Sequence, residues 1–173
     1  MIKRFFLLLL LALVVSQFLR PNKNEASYET ITSFETATVV PDNVRTILQN
    51  NCYDCHSNST RYPWYMEVSP VSHWMAYHIN EGKEHFNVSD WDSYTTDQRE
   101  HKLKELIEEI EKKAMPLKPY TWVHDELSNQ DADILTTWAK EVRDKIINPI
   151  DSIPAKTSDT IPATVIDSSK TVL

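Results

Sequence analysis

Both cysteines of this 173-residue chain fall in one run, Cys52-Tyr53-Asp54-Cys55-His56, where they flank two residues and precede a histidine. Two thiols at C-x-x-C spacing lie about one helical turn apart, so each can add to one vinyl group of a haem while the adjacent imidazole ligates the iron. The other chemistries open to this spacing ask for partners that the sequence does not supply. A disulfide would use both thiols and leave His56 without a role. A structural zinc site needs four N or S ligands, and there is no second cysteine pair. A thioredoxin-like thiol pair sits in a βαβ frame whose turns call on glycine, yet Gly82 is the single glycine. The motif is therefore expected to carry one covalent haem c, with Cys52 and Cys55 forming the thioethers and His56 as the proximal iron ligand.

The sixth position on the iron has two kinds of candidate. Met115 follows a predicted amphipathic helix and precedes Pro116, a helix breaker, so a Met-Pro loop can lay a thioether across the distal face and raise the potential relative to bis-histidine ligation. His78 is the alternative, one turn from Trp74 on a predicted helix. His73 and His85 share that helix or its end, His101 falls on a charged face, and His124 follows the Met loop. Met66 and Met75 read as core fillers. Among the aromatics, Tyr120 or Trp122 could reach a haem propionate with its polar tip, and most of the tryptophans read as core.

The elements that must position these groups are helical. Val44, Ile47 and Leu48 fall at i, i+3, i+4 after Pro41-Asp42 and lead into Cys52. Ser69-Pro70 predicts a helix start, and Gly82 a left-handed stop. Leu103, Leu106, Ile107, Ile110 and Ala114 form one stripe that begins after Thr96 and should end at Pro116. Ser128 and Asp131 make a capping-box-like start for a stripe of Ala132, Leu135, Trp138, Ala139, Val142 and Ile146. No alternating pattern competes, so the expected fold is all-α: a small helical domain around one haem.

Outside this domain, residues 1–20 place Lys3 and Arg4 before an apolar run from Phe5 to Val15 that weakens through Leu19. Ile2 to Leu19 just reaches the lower bound of a spanning helix, about 17 to 25 residues, and no good cleavage site follows. An uncleaved signal anchor is expected, with the domain on the periplasmic side of a bacterial inner membrane; a cleaved signal exporting the domain to the periplasm is the other outcome. Residues 21–40 read as a linker, 41–147 as the haem-binding domain and 148–173 as a disordered tail. Beyond residue 20 the chain holds 15 basic and 25 acidic residues, a formal charge of −10. This argues against nucleic acid as a partner and suits a basic redox protein.

The order CYDCH, RYPWY, EGKEHFNVSDW, MPLKPYTWVHDE and LSNQDADILTTWA resembles the bacterial haem-binding domain family of small cytochrome-c-like proteins over residues 40 to 143, and the opening apolar segment is similar to the anchors of that family. The resemblance implies an all-α cytochrome-c-like fold with one covalent haem and leaves the physiological task open. Three classes of function follow. The first is a membrane-tethered electron carrier with His/Met-ligated iron; the second, a haem enzyme or a gas or peroxide sensor with an open or displaceable sixth site; the third, an accessory subunit.

Overall fold

The computed structural model describes residues 1–122, 124 and 126–149, so the expected tail lies outside the described residues except for its first two. Those residues form eight α-helices: α1 (Ile2–Ser16), α2 (Glu29–Ala37), α3 (Asp42–Asn51), α4 (Tyr53–His56), α5 (Val71–His85), α6 (Thr96–Glu111), α7 (Lys118–Thr121) and α8 (Asn129–Ile147). Single 3-10 segments span Trp64–Glu67 and Val88–Ser93. Among the described residues there is no β-strand, only an isolated bridge between Glu25 and Ser59. The all-α expectation agrees with this architecture.

The core is built on the stripes that the periodicity predicts. Leu103, Ile107 and Ile110 of α6 and Leu135, Trp138, Ala139 and Val142 of α8 are buried in one cluster, which Val44, Ile47 and Leu48 of α3 complete. Each such large apolar side chain removed from water contributes roughly 1.5–3 kcal/mol, which the exposed polar faces of these helices could not supply. Capping sharpens the helix starts. Thr95, one residue earlier than expected, accepts from Gln98 N at 3.3 Å while Gln98 Oε1 accepts from Thr95 N at 2.8 Å, a complete capping box. Ser128 accepts from Asp131 N at 3.0 Å, but its hydroxyl donates to Asp131 Oδ2 at 2.8 Å. The shorter carboxylate engages the hydroxyl, and the reciprocal half of a box is not formed.

The segment 21–40 is not a linker. Residues 24–26 run beside 58–60, with Ala26 N donating to Asn58 O at 2.8 Å and Thr60 N to Asn24 O at 2.9 Å. Helix α2 follows and buries Ile31 and Phe34 completely. Phe34 meets Trp91, Phe86 and Trp138 edge-on, with ring centroids 5.1, 6.0 and 6.1 Å apart. Two apolar residues at i, i+3 among threonines and glutamates gave a weak periodic signal, and tertiary burial supplies the stability that local propensity lacks. The folded domain therefore starts near residue 24, well before 41.

Three helix ends also differ from expectation. Pro70, not Ser69, is the N-cap of α5, and Gly82 lies inside that helix, which continues to His85. Helix α6 stops at Glu111 before Pro116 is reached, because Lys113 takes φ 56° and lets Lys113 N and Ala114 N donate to Ile110 O and Glu109 O, each at 2.9 Å. This is a Schellman closure without glycine. Helix α2 ends in the same way at Val39, φ 49°, a β-branched residue on an exposed turn. Helix α1 holds 15 residues, none buried. No helix among the described residues is long and apolar enough to cross a membrane.

The left-handed conformation costs a non-glycine residue about 1–2 kcal/mol, so Val39→Gly is expected to stabilise the domain by about 1 kcal/mol after the entropy cost of glycine is subtracted. Phe34→Ala should destabilise it by about 3–5 kcal/mol. Chemical denaturation followed by far-UV circular dichroism checks both, and a neutral Phe34→Ala would show that α2 is not part of the core.

Candidate cofactor site

The C-x-x-C-H residues sit where α3 breaks. Helix α3 ends at Asn51, Cys52 turns with φ −129°, and the single turn α4 follows. His56 N and Cys55 N both donate to Cys52 O, at 2.9 and 3.1 Å, so the two thiols are one turn apart as the spacing requires. Both are free.

Side chains from the following loop hold this turn. The buried Asp54 carboxylate accepts from Arg61 N at 2.9 Å and from Arg61 Nε and Nη2 at 3.1 and 2.8 Å. Thr60 Oγ1 donates to Asp54 O at 2.6 Å, and Ser57 Oγ to Tyr53 O at 2.7 Å. A forked guanidinium matches a carboxylate in geometry as well as charge, and the pair here bridges the motif to its own downstream strand of loop.

Helix α5 crosses the motif at its glycine. A Cβ on Gly82 would lie 2.8 Å from Cys55 O, so any larger residue would force the two backbones apart. The glycine that the sequence marks as a left-handed stop instead permits close helix packing. Just beyond the helix end, Phe86 O accepts from His56 Nδ1 at 2.9 Å. A carbonyl can only accept, so Nδ1 carries the proton and Nε2 presents a lone pair, the tautomer a metal-ligating histidine needs. Burial holds the His56 pKa below its ordinary value, against the opposing hydrogen bonds to Phe86 and Gly82, which keeps the imidazole neutral near pH 7.

Beside these groups opens a cavity of about 650 Å³, within the roughly 300–1,000 Å³ of ligand pockets. Cys52, Cys55, His56 and Met115 all line it, as do Met75, His78, His85 and Tyr120. The loop after Lys113 brings Met115 to the wall with its backbone N–H donating to Glu109 O at 3.2 Å. His78 comes from α5, edge-on to Trp74 at 4.5 Å. Met115 and His78 thus reach the same space from different elements. The remaining histidines are engaged elsewhere: His73 Nε2 donates to Leu19 O at 2.6 Å, His101 lies 3.3 Å from Glu105, and His124 bonds Tyr65 OH at 2.7 Å while stacking on Tyr120 at 4.0 Å.

The donor set fits a haem better than a bare ion. Burial, then each neighbouring anion, pushes the Cys52 thiol up to about 12 and the Cys55 thiol to about 11, so neither is poised as a thiolate for zinc or disulfide exchange. Sulfurs that end as neutral thioethers meet no such penalty. Among the described residues, no group of three or more His, Cys, Asp or Glu could hold a metal ion by itself.

Sequence reasoning missed Met75 as a cavity wall, reading it as filler; it is buried in a small cluster with Met66 and Ile79 and faces the cavity as well. It also missed the Asp54–Arg61 clamp, for which the charged residue inside the motif was the available signal. Of the tryptophans only Trp74 lines the cavity; Trp91 and Trp138 are core, and Trp64 and Trp122 are exposed. Tyr120 lines it too, its hydroxyl donating to Asn50 O at 3.1 Å.

Residues 11–141 match the family model described as Haem-binding domain, and the chain belongs to that family. Neither a curated protein nor a solved structure matches it.

Gly82→Ala is expected to push α5 off the motif turn, costing about 1–3 kcal/mol as overpacking does, and to lower haem content per chain. Haem absorbance normalised to protein, with a denaturant melt of the same sample, reads both effects. Unchanged loading and stability would show that the crossing is looser than 2.8 Å implies.

Proposed function

Taking a haem-binding domain as the premise, we propose that this protein is a membrane-tethered, periplasmic c-type cytochrome of cytochrome-c-like fold that carries electrons. The observation that carries this reading is the meeting, in one cavity, of two free thiols a turn apart and an imidazole whose Nδ1 is tied to Phe86 O. Cys52 and Cys55 would hold the haem as thioethers, His56 Nε2 would ligate the iron, and Met115 would take the sixth position. When bound, the haem supplies a one-electron ferric/ferrous couple.

The chain's own residues supply placement and environment. Arg61 and Gly82 hold the thiols against α5, and Phe86 O orients the imidazole. Leu48, Leu106 and Leu135 give the cavity apolar wall, and an apolar surround would favour the less charged oxidation state and, with a thioether ligand, a higher potential. A carrier needs no acid/base pair. The formal charge of −10 beyond residue 20 favours a basic redox protein as the partner, through attraction screened by salt.

A second reading rests on His78. Because it shares the cavity with Met115, it can act as an alternative ligand or as a polar group beside a displaceable sixth site, as a haem enzyme or a gas or peroxide sensor would need.

Optical spectroscopy separates the two. In the carrier, denatured protein keeps one haem per chain by mass, and Cys52→Ala with Cys55→Ala abolishes it. The ferric protein shows the near-infrared band of methionine sulfur on iron, Met115→Ala erases that band, and the reduced wild type resists CO while the variant binds it. Fast CO binding by the wild type, or a coordination change caused by His78→Ala and not by Met115→Ala, would favour the second reading. For the location, the native protein is expected to sediment with membranes and to retain its N-terminal apolar segment; recovery of a soluble protein starting near Gln17 would show cleavage instead.

A further inference from the structure

The apolar N-terminal segment is not separated from the domain by slack chain. The Gln17 side chain, one residue past α1, donates to Ser69 O at 3.1 Å and accepts from Ser69 N at 3.0 Å. His73 Nε2 donates to Leu19 O at 2.6 Å. Glu67 accepts from Arg20 at 3.2 Å and from Lys23 at 2.6 Å. The chain therefore leaves α1 directly onto the segment that runs from the Trp64–Glu67 turn into the first turns of α5.

That segment differs from the rest of the surface in two ways. Trp64, Val68, Val71 and Trp74 are exposed on it, Trp64 by 79%. Between residues 61 and 80 the sole acidic residue is Glu67, in a chain with 25 acidic residues, and Glu67 is neutralised by the two basic residues that follow α1. Exposed tryptophans with apolar neighbours and little free negative charge suit the headgroup layer of a bilayer. Length gives an independent reason. A helix of 15 residues rises only ~22 Å at about 1.5 Å per residue, against a hydrocarbon core of about 30 Å. A short apolar segment draws its flanking residues into the bilayer to meet that mismatch, and the flanking residues here are bonded to the domain.

We infer that the face carrying Trp64, Val68, Val71 and Trp74 is a lipid-surface site: the domain is seated on the bilayer beside α1 rather than swung from it. This rests on the anchor reading proposed above. Because Trp74 also lines the cavity, seating would set one cavity wall at the membrane surface and fix the orientation of the haem.

Photocrosslinking tests it with the full-length holoprotein in phosphatidylcholine/phosphatidylglycerol vesicles that contain a diazirine-bearing phosphatidylcholine, the adducts being mapped by mass spectrometry. Lipid adducts are expected on α1 and on peptides spanning residues 64–74, with none on the exposed face of α8. Val71→Asp should lower the 64–74 adducts about fivefold, since a charge is disfavoured in the interface, while those on α1 persist. Adducts on α1 alone would overturn the seating and leave the anchor standing. No adducts on α1 would overturn the anchor and the seating with it. No lipid adducts at 64–74, together with a dimer mass for the holoprotein released from the same vesicles in native mass spectrometry, would assign this face to a second copy and overturn the lipid site.

Discussion

The backbone contact between Gly82 and Cys55 constrains more of this domain than any single side chain does. Two helical segments can approach to the distance seen here only where one lacks a Cβ, and a Cβ at 82 would meet Cys55 O at 2.8 Å. This approach puts Phe86 O within reach of His56 Nδ1 and turns the Trp74, Met75 and His78 side of α5 toward the thiols. The imidazole tautomer, the position of the thiols and one wall of the cavity thus follow from the same crossing.

Polar groups carry that constraint back toward the N-terminus. Asn24 Nδ2 donates to Ser57 O and to Thr60 Oγ1, both at 2.8 Å, and Lys83 Nζ donates to Asn24 Oδ1 at 2.7 Å. One asparagine therefore joins the segment after α1, the end of the motif and α5. Since the Asp54–Arg61 pair holds the same loop from the other side, the motif is braced by groups both before and after it in sequence. A haem held as proposed, by Cys52, Cys55 and His56, would tolerate little displacement, and this bracing would keep its attachment points in register.

The core has a different logic. Phe34, Phe86, Trp91 and Trp138 form an aromatic group whose rings meet edge-on or tilted, and it joins α2 to the helices that carry the cavity. Such contacts add about 0.5–1.5 kcal/mol per pair beyond area burial. Phe86 belongs to this group through its ring and to the site through its carbonyl, so core packing and imidazole orientation are coupled at one residue.

The sequence by itself determined the one-turn spacing of the two thiols, the all-α class and the buried stripes of α3, α6 and α8, because each depends on spacing along a single element: C-x-x-C-H within one turn, apolar residues at i, i+3, i+4 along a helix. Only the tertiary structure decided the role of Gly82, which depends on a helix 27 residues away. The inclusion of 24–40 in the fold was likewise hidden, because Ile31 and Phe34 are buried by Phe86, Trp91 and Trp138 rather than by neighbours in sequence. Met115, His78 and Met75 could be named as candidates but not brought to one cavity by periodicity. Their convergence depends on where Lys113 ends α6 and where α5 crosses the motif, and distances between elements are set by packing, which no local pattern encodes.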